Sequence, residues 1–408
     1  MFSRSLRQAG RWLRSAVRQA LATVWYYTGL FWLWSRLRRR WGPPALLVPM
    51  YHRLRTTRHA AAELLDIERG VWLDRFRRHL HVFRRYGGSV TLSEAAAWLD
   101  RDEARGVRVA VTFDDGYRDT AAGLELMLRS GQRATVFPVV SAAEGEELLW
   151  WDRLALSWRA GPSAEGEKRQ SLSQLVEELV TLPEHRRRWL VRRLVSTNVP
   201  QHAPSELYFG CAELAEWQRR GFELGGHSVT HAALPAESPS RVRAELFGSR
   251  EFLRNSTGQA PYSFAYPHGL HDAATRAAVQ EAGFRCAVTT EPGANSRLAD
   301  RWQWKRVPVG DEPAAVVALQ LTWYDMRDVL LPALGRAIFG RRKACERNTR
   351  QGKPPFGAVS TDRTDRTNQV EWSDRSNPRS STTGEPVLAG GPCRQGPGHA
   401  VGTGHRQR

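Results

Sequence analysis

Over the first 24 positions, apolar and basic residues separate at helical spacing. Phe2, Leu6, Leu13, Val17, Leu21 and Val24 form one stripe, and Arg4, Arg7, Arg11, Arg14 and Arg18, stepping by three and four, form another. This is the pattern of a basic amphipathic helix. It runs into an uncharged stretch from Gln19 to Ser35, rich in Trp and Tyr, and then into Arg36-Leu37-Arg38-Arg39-Arg40. Those 17 residues stand at the short limit of the roughly 17–25 that cross a bilayer. Arginine follows them where a signal peptide would carry a small-residue cleavage site, and arginine on both flanks gives no inside-outside bias. Three readings stay open for residues 1–41: a membrane-seeking helix lying among headgroups, a single span, or a helix packed on the protein's own body. The aromatic-rich apolar face favours the first.

From residue 42 the pattern changes to short apolar runs alternating with helical segments. Strands are expected at Ala45–Tyr51, Val107–Phe113, Ala134–Val140, entering Gly225-Gly226, and at Tyr262–Tyr266, Arg285–Thr290 and Trp304–Val309. Helices are expected near Gly70–Arg85, Thr120–Ser130 and Ala212–Arg220. Such alternation predicts parallel strands in an α/β domain over residues 42–340, as an open sheet or as a closed barrel. A stretch at about 145–205 breaks the pattern and reads as a helical insertion, with Gln174–Leu182 and His185–Val195 at helical spacing. Residues 341–408 hold nine Gly, six Pro and few large apolar side chains, and are expected to be a disordered tail.

Charge sharpens this division. The 408-residue chain carries +18, of which residues 1–41 supply nine arginines with no acid, and residues 341–408 thirteen Lys/Arg against six Asp/Glu. The body between is close to neutral, which argues against a nucleic-acid partner, because a nucleic-acid reader carries its positive patch on the folded domain. Cys211, Cys286, Cys345 and Cys393 have no paired spacing, so neither a thiolate zinc site nor a disulfide framework is suggested.

Candidate chemistry sits just after two of the expected strands, where α/β folds gather their sites. Val107–Phe113 runs into Asp114-Asp115-Gly116: two adjacent carboxylates repel, so one gains from a cation while the other can take a proton. Gly225-Gly226-His227-Ser228-Val229-Thr230-His231 places two histidines at i and i+4, which meet on one face of a helical turn, and the glycines would let the chain approach a metal closely. One Asp and two His leave coordination positions open for water and substrate, the arrangement of a catalytic metal rather than a structural one.

Val111-Thr112-Phe113-Asp114-Asp115-Gly116 and His227-Ser228-Val229-Thr230-His231 resemble the first two motifs of the NodB-homology polysaccharide deacetylases, carbohydrate esterase family 4. Ala134-Thr135-Val136-Phe137 and Phe264-Ala265-Tyr266-Pro267-His268-Gly269 fit as well. The resemblance spans about Ala45 to Val309, with the insertion outside it. It implies a deformed (β/α)7 barrel, Asp115, His227 and His231 on one divalent metal ion (zinc first, with cobalt or nickel possible for such donors), and Asp114 as catalytic base. It also implies an N-acetylated amino-sugar substrate, with the backbone of His268 placed to stabilise the oxyanion. The opening Tyr51-His52-Arg53 resembles a branch that works on exopolysaccharide and envelope saccharides. With the basic terminus, this gives the expectation of a membrane-associated enzyme on the cytoplasmic face of the inner membrane, acting on a glycan or lipid-linked sugar.

Two departures from the family pattern matter. The arginine that many members place two residues before the proline, paired with the base, is Ala265 here, and Arg306 is the substitute candidate. The late Leu-x-His that supplies a general acid is missing, since no histidine lies between His271 and His399. His52, following the first strand of the body, is the candidate acid, with a substrate-binding or supporting role at the site and a core hydrogen-bonding histidine as the other readings. Trp151, in Trp150-Trp151-Asp152, is a candidate for stacking on a sugar ring, or for pinning the inserted helices to the barrel.

Overall fold

The computed structural model of the chain describes residues 2–56, 70–159, 165–195 and 204–336. Seven parallel strands form its centre: β1 (Pro49–Tyr51), β2 (Val111–Asp115), β3 (Ala134–Pro138), β4 (Glu223–Leu224), β5 (Ser263–Ala265), β6 (Cys286–Pro292) and β7 (Trp304–Pro308). Met50 pairs with Thr112, Thr112 with Thr135, Thr135 with Glu223, Ala287 with Phe264, Val288 with Trp304 and Val307 with Pro49. Neighbours around the ring are therefore neighbours in the chain. Between β4 and β5 the ring closes through one residue: Gly226 N–H donates to Ser263 O and Gly226 O accepts from Ala265 N–H, both at 2.9 Å. A Cβ on Gly226 would stand 2.7 Å from the Phe284 ring, and one on Gly225 2.2 Å from the Phe137 ring. The two glycines thus let the barrel close against aromatic side chains, rather than bringing the chain close to a metal as the sequence suggested. The fold is the deformed (β/α)7 barrel.

Two expected strands divide. Ala45–Leu47 and Val107–Val109 separate from β1 and β2 at Val48 and Ala110 and join a second sheet of three, in which Ala45–Leu47 lies between Val107–Val109 and Ala294–Ser296 and pairs with both. Both runs are buried almost throughout, so their hydrophobic pattern has no alternation that could reveal the break. Among the described residues the structure adds five helices to those expected: Leu92–Leu99, Val140–Ala143, Pro239–Thr257, Ala273–Glu281 and Ala314–Asp325. The first carries a Thr91/Glu94 capping box. The insertion folds as Trp150–Arg159, Glu165–Val180, Glu184–Leu194 and Pro204–Leu207, around its own small core of Leu154, Leu156, Leu172, Leu179 and Val191.

At the start of the chain, α1 (Phe2–Tyr27) stops before Gly29, whose φ of 84° breaks the helix, and α2 (Leu30–Arg40) begins anew. The uncharged stretch is therefore divided between two helices, and no helix among the described residues is long and apolar enough to cross a membrane. Both helices rest on the body. Ala22 packs with Ala315 and Val316, Phe31 stacks on Tyr86 at 5.6 Å, and Arg38 donates twice to Asp325, at 2.8 and 2.9 Å. The expected tail, residues 341–408, lies outside the described residues.

Candidate metal centre and active site

β2 delivers Asp114 and Asp115 to the carboxyl end of the barrel, both almost fully buried. The chain turns sharply there, with φ of 67° at Asp115 and 75° at Gly116. A non-glycine residue in the left-handed region costs conformational energy, and such strain concentrates where a side chain must be aimed.

The loop after β4 supplies the two histidines. It is not a helical turn: Ser228 and His231 adopt φ of 64° and 54°, and this double reversal, rather than i,i+4 helix geometry, brings the rings together. Glu245, reaching in from Pro239–Thr257, fixes the loop by accepting from Val229 N–H and Thr230 N–H at 2.8 Å each and from the Thr230 hydroxyl at 2.7 Å. His227 Nδ1 lies 2.8 Å from Ala265 O, which assigns that nitrogen as donor and turns Nε2 inward. There His227 Nε2 stands 3.4 Å and His231 Nε2 3.5 Å from Asp115 Oδ1, and the two nitrogens are 3.1 Å apart.

These three side chains fit a divalent cation. Their donor atoms lie within 4.8 Å of one another, and both Asp115 oxygens are buried without a hydrogen-bond partner. A buried carboxylate left unpaired is costly, and a cation removes the cost. Burial, reinforced by His268 and His227, pushes the His231 pKa well down, which keeps its nitrogen free of a proton.

Asp114 has different company. Arg306, fully buried on β7, donates from Nη1 to Asp114 Oδ1 at 2.7 Å and from Nε to Thr289 O at 2.6 Å. Burial alone would raise the Asp114 pKa, but Arg306, His227 and His52 together outweigh it and hold the carboxyl below its ordinary value. Ala265, at the family's arginine position, is buried on β5. His52 Nε2 comes to 3.8 Å from Asp114 Oδ2, with the side chain 29% exposed at the mouth.

His268 sits beside the centre with φ of 56°, its ring edge-on to that of His231 at 4.3 Å, and burial pushes its pKa down to about 3. Trp151 corrects the sugar-stacking reading. It is only 4% exposed, lies edge-on to His231 at 4.7 Å and donates from Nε1 to the Tyr117 hydroxyl at 2.8 Å, so it pins the insertion to the barrel and offers no open face to a ring.

Three residues here carry no sequence signal. Asp152 accepts from the hydroxyls of Tyr117 and Tyr208, and burial raises its pKa to about 6. Arg187, buried on an insertion helix, reaches His231 O at 3.4 Å and lies over the Trp150 ring at 5.2 Å. Glu245 completes the set. All three act from elements remote in sequence, so only the folded chain brings them to the site.

The polysaccharide deacetylase family profile matches residues 101–287, from just before β2 into β6. YxkH of Bacillus subtilis (strain 168), a protein named for polysaccharide deacetylation, is 29% identical over 97 residues, covering 24% of this chain and 35% of that protein. The matched stretch thus spans about a third of this relative. Among solved structures, the Streptococcus pyogenes deacetylase PplD in complex with acetate is 17% identical and aligns over 68% of this chain and 99% of its own, with a TM-score of 0.48. A polysaccharide deacetylase from Bacillus cereus is 19% identical over 68% of this chain and 69% of its own, with a TM-score of 0.45. The profile match takes in Asp114, Asp115, His227 and His231, so over residues 101–287 the chain matches the polysaccharide deacetylase family with its Asp-Asp and His-x-x-x-His motifs in place.

Proposed function

We propose that this protein is a metal-dependent hydrolase that removes N-acetyl groups from amino sugars of a membrane-proximal polysaccharide or lipid-linked saccharide. The reading is carried by one observation: a buried Asp115–His227–His231 donor set stands beside a second carboxylate, Asp114, that Arg306 keeps ionised. A divalent ion on those three side chains, zinc first among candidates, would supply Lewis-acid polarisation of the amide carbonyl and would acidify water.

The chain's own residues account for the proton movements. Asp114, ionised and buried, takes a proton from the attacking water as its oxygen bonds to the carbonyl carbon. The backbone at His268 borders the place where negative charge then collects on the carbonyl oxygen. The C–N bond breaks as a proton reaches the amine nitrogen, and His52, 3.8 Å from Asp114 and open to the mouth, is placed to deliver it. Acetate and the amino sugar as its ammonium ion result: the water's oxygen leaves in the acetate and its two protons end on the amine nitrogen, so Asp114 and His52 return to their starting protonation.

Release of acetate from N-acetylglucosamine oligomers and from lipid-linked acetamido sugars, with and without a chelator, tests the proposal. Metal-dependent release supports it. Saccharide binding with no release from any substrate would instead mark a silent binding module. Deformylation of a small lipid-linked sugar is the same chemistry on another acyl group and is read by formate release from a lipid-linked N-formyl sugar added to the panel. Action at the cytoplasmic face of the inner membrane belongs to this proposal and is tested by fractionation with topology-sensitive labelling.

A further inference from the structure

We infer that α1, α2 and the helical end of the body form a built surface that seats the barrel on an anionic lipid bilayer. This surface stands apart from the deacetylase reading, because it involves none of the site residues.

The argument starts from the orientation of α1. A helix that packs on a soluble body ordinarily buries its apolar stripe and shows its polar face to water. Here a second apolar face is left open. Ala22, Trp25 and Tyr26 are turned to the body, where Ala22 meets Ala315 and Val316, and Arg18 reaches Glu312, while Val17, Leu21 and Val24 face away, each 50–59% exposed. α2 repeats the arrangement. Phe31, Trp34 and Arg38 hold it to Tyr86 and Asp325, and Leu30, Trp32, Leu33 and Leu37 are left outside. Trp41 follows at 66% exposure. Single exposed apolar residues are ordinary, but two consecutive helices that each leave an apolar face open after docking are not.

The surface extends beyond the N-terminal helices. Trp323 and Leu331, both more than half exposed, lie on the helical segment that receives them, and a Cβ on Gly42 would be 3.4 Å from Leu330, so the end of α2 and this segment meet. The buried Arg38–Asp325 pair fixes the angle between them.

Charge selects the occupant. Residues 1–41 carry nine arginines and no acid, and Arg36, Arg39 and Arg40 are exposed among the apolar side chains. The Arg36 guanidinium lies 5.7 Å from the centre of the half-exposed Trp32 ring. Tryptophan with arginine suits the headgroup layer of an anionic leaflet. A second copy docked on the same face would instead bring two arginine-rich helices together. The surface also reaches the mouth: Glu312, which Arg18 contacts, lies in the loop leaving the carboxyl end of β7, next in the ring to the β1 end that bears His52. A bilayer seated here runs along the barrel wall to the rim of the site.

Flotation of the full chain with phosphatidylglycerol-containing and pure phosphatidylcholine vesicles tests the inference. The parent is expected to float with the anionic vesicles and to weaken as salt is raised. Combined Leu21→Ser, Val24→Ser and Leu33→Ser should lower partition by about tenfold or more, and combined Arg36→Gln, Arg39→Gln and Arg40→Gln should weaken the salt dependence. Should the triple variants lose their fold by circular dichroism, quenching of parent tryptophan fluorescence by brominated lipid takes their place: quenching is expected, and its absence overturns the inference. A parent that stays with the soluble fraction, variants that float as it does, or a concentration-dependent dimer abolished by the same substitutions would also overturn it.

Discussion

Arg306 on β7 reaches across β1 to donate to Asp114 on β2, Nη1 to Oδ1 at 2.7 Å. Its Nε is held by Thr289 O, so the guanidinium is fixed at one end and presents its charge at the other. The family's usual arginine would come from the position of Ala265 on β5, on the far side of the ring. A cation for Asp114 is therefore supplied from a different strand of the same barrel.

Removing that cation should move the base. Burial raises the Asp114 pKa and Arg306 leads the groups that lower it, so Arg306→Gln should shift the acid limb of the kcat/KM profile upward by about 1–3 pH units. Activity at neutral pH should fall, and Arg306→Lys should restore part of it. An acid limb unchanged in Arg306→Gln would show that the pair does not set the protonation of the base.

Ligand and base should separate by mutation. His231→Ala leaves two protein donors, and metal should be lost on dialysis, as read by metal analysis, with the circular dichroism spectrum retained. Asp114→Asn should keep the metal and lower turnover by about 10²–10⁴-fold. Activity of Asp114→Asn within tenfold of the parent would assign the base elsewhere.

His52→Ala should lower turnover by about tenfold or more and leave metal content unchanged, because the ring stands beside Asp114 and outside the Asp115–His227–His231 set. The alkaline limb of kcat should be lost with it. Parent-like turnover would leave the substrate or solvent as proton donor to the amine.

What could be read from the sequence follows from what is local in it. Asp114-Asp115 and His227–His231 each lie within one short segment, so their residue types and positions were legible, and the strands placed both at one end of the barrel. The conformation joining the histidines was not, because positive φ at Ser228 and His231 leaves no mark in side-chain chemistry. Arg306 could be proposed from a missing arginine, but its reach to Asp114 depends on β7 closing next to β1. Glu245 sits on a helix that the sequence pattern did not reveal and Arg187 on one legible only by its apolar spacing, and only tertiary packing buries them. The two readings of Trp151 could not be separated for the same reason: a large aromatic ring looks alike in sequence whether it faces a sugar or a histidine.

The mouth rim should also carry a pH dependence of stability that is independent of the metal. His79 is fully buried, with Nδ1 3.0 Å from the Tyr51 hydroxyl and Nε2 2.8 Å from Glu312 O. The carbonyl can only accept, so Nε2 carries the proton and Nδ1 accepts from Tyr51, which uses both nitrogens of a neutral ring. Burial, opposed in part by the Glu312 carbonyl, lowers the pKa from 6.5 to about 4. The unfolded chain therefore binds a proton between those values that the folded chain does not. The stabilisation from a neutral His79 is complete above about pH 6.5 and is lost progressively as pH falls toward 4, by at most about 3 kcal/mol. Urea unfolding of the parent at pH 7 and pH 4.5 should show this loss, and His79→Gln, less stable at neutral pH, should show a smaller difference between the two. Equal differences in parent and variant would mean that the acid sensitivity arises elsewhere, because every other titrating group is common to both proteins.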